Sequence, residues 1–383
     1  MKILITSSVD PMKSAHSRLH EFLRYLSEKH KITVLSINDW WKSGQTDVKL
    51  YNEDFRDMFE KIDILYLTNK KISPIFQEIF SIINSPNKLD GKFDIHLNYA
   101  SFICGYSIAK KTHIPTVYDI ADDWVEMTRK SPQIPSILRP TGASLLRIIV
   151  QKNIKISTKI TYTTKFLKNL YRIPDEKSTL IPNGVDTNLF RNYGDTKEEL
   201  GLEGFIIGYV GVLREWVDLE PVFRALQDLN KEIKIVVVGK EGQFKENVNL
   251  AKNCGVYDRV IFTGMVPYSQ VPKYISAMDI CLIPFKRGAI SENALPLKLF
   301  EYMACEKPVL STELPGVKAI AGDKVLYAST RDEYREKISE LYRNEELSFK
   351  LGEEGRQLVK ENYDWEKIVG EMEEILSSVK DKK

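Results

Sequence analysis

The four cysteines of this 383-residue chain, Cys104, Cys254, Cys281 and Cys305, lie far apart and form no CxxC pair. That spacing excludes a zinc knot or a dithiol redox motif and suits a reducing compartment. No apolar run reaches the 18 or so residues that a membrane span needs, and "MKILITSS" enters a strand at once. A cytoplasmic protein without a signal peptide is therefore expected. A glycine-rich dinucleotide loop is missing too. The loop after the first strand, "SSVDPMKSAHSR", has no glycine, and Gly208 and Gly211 in "GFIIGYVG" do not complete GxGxxG. This argues against a dinucleotide oxidoreductase, and no Walker loop is present either. No cluster of His, Cys or carboxylates has metal-ligand spacing, so neither a metal nor a cofactor is expected.

Acidic residues are missing from one long stretch. Between Met127 and Pro174 there are ten basic residues and no acid. The net charge of +2 hides this asymmetry: residues 1–182 carry 27 Lys/Arg against 19 Asp/Glu, and the remainder 28 against 34. A basic block of this kind fits an anionic neighbour such as a phospholipid surface, a lipid phosphate or a nucleic acid, and equally a solvated lysine-rich face.

What is present is ordinary for a soluble enzyme: 43% hydrophobic and 28% charged residues, too apolar for disorder. The length exceeds one usual core, so two domains are expected. "KILITSS", "KITVLSI", "IDILYLT", "FDIHLNY" and "PTVYDIA" read as continuous apolar strands separated by helical periods, which means a parallel sheet covered on both faces. A Pro-, Gly- and Asn-rich connection follows, and the second half restarts with "GFIIGYVGVL", "IKIVVVGK", "RVIFTGMV", "DICLIPF" and "KPVLST". The expectation is an α/β protein with a Rossmann-like domain at 1–182, a second at 200–362, and a C-terminal helix at 363–383. Ligands in such sheets bind beyond the carboxyl ends of the strands, in a cleft between the halves.

The stretch "ENALPLKLFEYMACEKPV" (292–309) carries the most chemistry. Asn293 reads as a helix N-cap and Pro296 as a first-turn residue. Free amides near 294–297 at the positive end of the helix dipole make an anion site, and Lys298 reaches it as a point charge. Glu301, three residues on, shares that face. A carboxylate beside a phosphate site needs hydrogen-bond donors, and vicinal ribose hydroxyls supply them. A surface helix with an i, i+3 Lys/Glu pair would read the same way.

The ordered set "IPNGVDTNLF" (181–190), "GYVGVL" (208–213), "VIFTGMV" (260–266), "DICLIPF" (279–285), "KLFEYMACEKPV" (298–309) and "YDWEKI" (363–368) resembles the retaining GT-B glycosyltransferases of family 4. "IPTVYDIADDWVE" (114–126) is similar to a segment of members that build surface polysaccharides and glycans. The resemblance implies a GT-B fold, with two doubly wound Rossmann-like domains facing across a cleft and a C-terminal helix returning to the N-terminal domain. It implies a nucleotide-diphosphate sugar, such as a UDP-sugar, as donor on the second domain and a glycan or lipid-linked acceptor on the first. Nucleic acid is not implied as a partner.

Carried over by position, Glu301 matches the ribose-binding glutamate. Asn293 stands where the family has its first motif glutamate, with Glu292 beside it as a substitute. The Ala294–Leu295 turn matches the amides that hold sugar and diphosphate, Gly211 the loop at the diphosphate, and Met265 and Val266 the loop that meets the base. Val212 and Val217 replace the family's usual phosphate-binding Arg and Lys. Arg214, with Lys298, is then the expected phosphate clamp, against the alternative of a surface charge.

In the first half, Ala121 stands where a His is common, flanked by Asp119 and Asp122 as catalytic or acceptor-contacting candidates. Their alternative is hydrogen bonding within a buried loop. Ser14 and Ala15 replace the usual glycine pair, leaving His16 and Arg18 as acceptor-phosphate contacts. "GASLLRIIVQKNIKI" (142–156) suggests peripheral attachment to an anionic membrane, with core packing of its apolar face as the alternative or companion reading. Competing readings are a sugar-nucleotide 2-epimerase of the same fold and a catalytically silent glycan- or nucleotide-binding partner.

Overall fold

The computed structural model describes residues 1–39, 54–84, 89, 91–131 and 134–381. The chain divides into two compact units, one of Met1–Pro182 with Glu366–Lys383, the other of Asn183–Trp365. Residues 183–199, read from sequence as connection, thus belong to the second unit.

The first unit holds a seven-stranded sheet of β1 (Lys2–Ser7), β2 (Lys31–Ser36), β3 (Ile62–Tyr66), β4 (Ile95–Tyr99), β5 (Thr116–Ile120), β6 (Lys159–Tyr162) and β7 (Ser178–Leu180), in spatial order β3-β2-β1-β4-β5-β6-β7. Every pairing is parallel, with Ile3 opposite Ile95 and Ser7 opposite Tyr99 across the central pair. All five residues of β4 and of β5 are buried, as strands covered by helices on both faces require. One core cluster packs Tyr118, Val150, Ile160 and Leu167 together; another joins Leu4, Leu35 and Ile108. The chain reverses direction of travel through the sheet between β1 and β4. That switch point is where the flanking loops part and side chains from β1, β4 and β5 converge.

The second unit repeats the plan with β8 (Phe205–Val210), β9 (Ile233–Val238), β10 (Val260–Gly264), β11 (Ile280–Ile283), β12 (Val309–Ser311) and β13 (Leu326–Tyr327), ordered β10-β9-β8-β11-β12-β13. Its switch point lies between β8 and β11. Arg259 fixes one side of this sheet by donating to the carbonyls of Leu226, Asn230 and Ile233, and Arg356 ties the Glu345–Asn362 helix to the carbonyls of Thr187, Phe190 and Ala304. In the first unit, Glu373 of the Trp365–Lys380 helix meets Lys29 at 2.9 Å and His30 at 3.0 Å.

Candidate functional site

The site of the second unit is built at its switch point. Gly211 ends β8 with φ 127°, and its N–H donates to Val238 O at 2.8 Å. Beside it, a Cβ on Gly239 would stand 2.3 Å from Gly211 O, so the loops after β8 and β9 meet only because both residues are glycine. Leu213 continues the seam, donating to Glu241 O at 3.1 Å and accepting from Gln243 N at 2.7 Å. From below, the Tyr209 hydroxyl donates to Val212 O at 2.9 Å, and the Val210 N–H donates to the Tyr302 hydroxyl at 2.8 Å. This loop therefore stands on two buried tyrosines, and it presents Arg214 to solvent.

The segment after β11 differs from the sequence expectation. Asn293 is the last residue of a short helix, Ala289–Asn293, and not the N-cap of the next one. Ala294–Pro296 runs extended, and Pro296 itself is the N-cap of the helix Leu297–Ala304. Proline fits there because its fixed φ matches an extended cap, and the first amides of the helix have no intrahelical acceptor. Leu295 is buried, and its carbonyl accepts from Asn183 Nδ2 at 2.7 Å. Leu295 can therefore meet a ligand through its backbone and not through its buried side chain. Sequence reasoning missed Asn183 as the residue that pins this linker; its place in "IPNGV" was the available signal.

Three charged groups converge here. Lys298 is half-buried at the second position of the Leu297–Ala304 helix, its Nζ 4.9 Å from the Tyr209 ring centroid and 5.1 Å from that of Phe285. A Cβ on Gly211 would lie 3.3 Å from the same Nζ. Burial pushes the Lys298 ammonium down to about 8; Glu301 opposes the shift and Arg214 adds to it. Glu301 is buried on the same helix face. Lys298 thus feels a carboxylate and a second cation beside a helix N-terminus, and an anion placed there relieves the repulsion between Lys298 and Arg214. Tyr209 and Phe285, which shape the lysine slot, were not legible as site residues.

Met265 is half-buried and Val266 buried just past β10. Glu292 lies 3.6 Å from Arg287 in a largely exposed ion pair, so the substitute for the missing motif glutamate already has a partner.

The first-unit candidates are arranged otherwise. Asp119, at the end of β5, is buried and accepts from Arg18 through Nε at 3.1 Å and Nη2 at 3.2 Å, and from Thr161 Oγ1 at 2.6 Å. Arg18, 3% exposed, also donates to Pro182 O and lies against the Phe22 ring. This pair is an internal strut, which corrects the expectation that Arg18 meets an acceptor phosphate and that Asp119 faces substrate. His16 is turned inward as well, bonded to Glu21 at 2.8 Å and stacked on Phe55. Asp122 differs from its neighbour. Half-buried beside Asp119 and Asp123, it is raised to about 6, first by burial, then by Asp119, with Arg18 opposing. Ala15 is half-buried, and the buried Ser14 Oγ and Trp124 Nε1 have no hydrogen-bond partner. Among the described residues, no group of three or more His, Cys, Asp and Glu is placed to hold a metal ion.

Solved structures with this architecture cover the whole chain. Sucrose-phosphate synthase from Thermosynechococcus elongatus matches over 100% of both chains with a TM-score of 0.81 at 15% identity. HepE from Anabaena, in complex with UDP-glucose, matches over 99% of this chain and 100% of its own, with a TM-score of 0.77 at 16% identity. The fold is the GT-B class of two doubly wound α/β units. Residues 195–358, which lie within the second unit, match the family described as glycosyl transferases group 1. Among curated relatives, the Bacillus subtilis (strain 168) protein TuaH, named for teichuronic acid biosynthesis, is 27% identical over 52% of this chain and 50% of its own. The chain thus spans about half of that relative. The N-acetyl-alpha-D-glucosaminyl L-malate synthase of Bacillus anthracis is 23% identical over 74% of each chain.

Proposed function

We propose that this protein is a sugar-nucleotide-dependent glycosyltransferase, moving a sugar from a nucleoside-diphosphate sugar to a hydroxyl of a glycan or lipid-linked acceptor, with retention and without a metal. The observation that carries the reading is the convergence of Lys298, Arg214 and Glu301 at the N-terminus of the Leu297–Ala304 helix. As the anomeric C–O bond breaks, its electron pair passes to the departing phosphate oxygen. Positive groups and amides aimed at that oxygen stabilise the transition state more than the ground state. In this reading Lys298, Arg214 and the amides of Leu297 and Lys298 supply that field, and Glu301 accepts from the ribose hydroxyls. Gly211 admits the diphosphate, Met265 and Val266 meet the base, and Asn293 with Glu292 borders the sugar. The acceptor oxygen attacks from the leaving-group face and its proton goes to the departing phosphate, so no protein nucleophile is needed.

The reading is supported by the group 1 family match and by the UDP-glucose complex of a protein with the same fold. A UDP-sugar is the first donor to try. The acid-free basic stretch between Met127 and Pro174 supports work at the cytoplasmic face of an anionic membrane, where a lipid-linked acceptor would be met. A thermal-shift screen with UDP-, GDP-, ADP- and dTDP-sugars tests the donor site. One of them is expected to raise the melting temperature, and Lys298→Ala and Glu301→Ala are each expected to remove most of that shift. A screen in which none stabilises the protein, with no donor hydrolysis, would overturn the reading.

A further inference from the structure

The helix Pro74–Asn84 is built inside out. Its polar residues Gln77, Glu78 and Ser81 are buried, while Ile75, Phe76, Ile79, Phe80 and Ile82 are 43–57% exposed. At about 100° per residue the five apolar side chains share an outward arc of about 160°. The polar side is fully used. Gln77 exchanges bonds with both the N–H and the carbonyl of Asn38, at 2.7 and 2.8 Å. Glu78 accepts from Ser8 and Ser101 and from the amides of Ile103 and Cys104 at 2.9 and 2.8 Å, capping the helix Ile103–Thr112. These contacts lock the orientation, so the apolar arc stays outward without being forced there by any core.

The surroundings are cationic. Lys70 and Lys71 precede the helix and are exposed, and from Lys70 to Asn84 the only acid is the buried Glu78. The Ile103–Thr112 helix packs against Pro74–Asn84 on one side and Arg139–Ile156 on the other. It adds exposed Lys110 and Lys111 and no acid. Arg139–Ile156 is acid-free too, and exposes Leu145 and Ile148 at 56% and 53% beside Lys152 and Lys155. An apolar ridge rimmed by lysines, with no exposed acid on three neighbouring helices, matches the boundary between anionic headgroups and acyl chains. A second copy docked face to face would set these lysines against each other, which disfavours a dimer.

We propose that this helical layer is a membrane-docking surface for anionic phospholipid, with Phe76 and Phe80 as its inserting side chains. The proposal lies within the first unit and needs no donor, so it does not rest on the sugar-nucleotide reading; it deepens the membrane attachment proposed above by naming the surface. Flotation of the full chain with vesicles tests it. The protein is expected to float with equimolar phosphatidylglycerol–phosphatidylcholine vesicles at low salt and not with phosphatidylcholine alone. The pair Phe76→Ser and Phe80→Ser should lower the floated fraction about tenfold or more, with an unchanged melting temperature, because both positions are exposed. Should that variant fold poorly, Phe80→Trp reads insertion directly: a blue-shifted emission, quenched by brominated lipid, is expected. Equal flotation of the Ser variant and the parent protein would overturn the proposal. So would a tryptophan unmoved by vesicles, or a concentration-dependent dimer that the same two substitutions dissolve.

Discussion

Lys298 Nζ stands 4.9 Å from the centre of the Tyr209 ring, with Phe285 at 5.1 Å completing a slot that is aromatic on two sides. Ring faces attract the ammonium, yet burial there withdraws water from it, and the second effect dominates because the proton is held only up to about 8. The lysine is charged below that value and neutral above it. Donor affinity should therefore fall as pH rises through about 8, a limb measurable by thermal shift or titration calorimetry with the stabilising sugar nucleotide. Lys298→Arg, which stays charged, should move the limb to higher pH even if it binds more weakly. Lys298→Ala should abolish the limb along with about tenfold or more of the affinity.

The Arg18–Asp119 strut makes a prediction about stability and none about acceptor affinity. Both side chains are buried, and Asp119 accepts three bonds from Arg18 and Thr161. Arg18→Ala leaves a buried carboxylate without its cation, which costs about 3–5 kcal/mol. Urea unfolding should show a loss of that size. An Arg18→Ala protein of near-normal stability would restore Arg18 as a surface contact.

How much of this was legible in advance depended on the range of the interactions involved. Runs such as "KILITS" and "IKIVVV" declare buried parallel strands by themselves, because a strand covered on both faces needs apolar residues without alternation. β6, β7 and β13, with four, three and two residues, are too short for any period to register. At the donor site, Lys298 and Glu301 were visible because three-residue spacing on one helix is a local fact. Tyr209, Phe285 and Asn183 act on that helix from other segments, and no local pattern encodes such contacts. Pro296 was read into the first turn where it caps, since proline suits both positions. In the first unit, side-chain type suggested contact with substrate for Arg18, His16 and Asp119. Arg18 meets Asp119 across 101 residues and Asp119 meets Thr161 across 42, so those pairings could not be seen, while His16 and Glu21, five residues apart across a helix start, are joined by no helical spacing.

Asn183 offers a test of how the donor loop is held. Its amide donates to Leu295 O at 2.7 Å and fixes the extended Ala294–Pro296 linker ahead of the helix N-terminus. Asn183→Ala removes a bond worth about 1 kcal/mol to the fold. The helix amides it orients face the proposed diphosphate, so donor affinity should drop by more than the stability loss alone explains. Calorimetric titration beside urea unfolding separates the two. A variant with lower stability and unchanged affinity would reduce Asn183 to a structural residue.

Asp122 sets a second pH dependence, of stability and not of donor affinity, in a lower range than that of Lys298. Its carboxyl is raised to about 6 by burial, with Asp119 adding to the shift and Arg18 opposing it, from an ordinary value of 3.8. Between those two values the folded protein holds the proton and the unfolded chain does not. The folded state therefore gains from this group as pH falls from about 6 towards 4, and above pH 6 it carries the full cost of an ionised, half-buried carboxylate. Asp122→Asn removes that charge. It should stabilise the protein by about 1–3 kcal/mol at pH 7.5, and the gain should fade by pH 4. Such a cost persists in a fold when the carboxylate does something useful, so the same variant should transfer sugar more slowly under the proposed activity. Urea midpoints at pH 4, 5 and 7.5, set against turnover, check both halves. A variant no more stable than its parent at pH 7.5 would show that Asp122 is solvated enough to bear its charge at no cost.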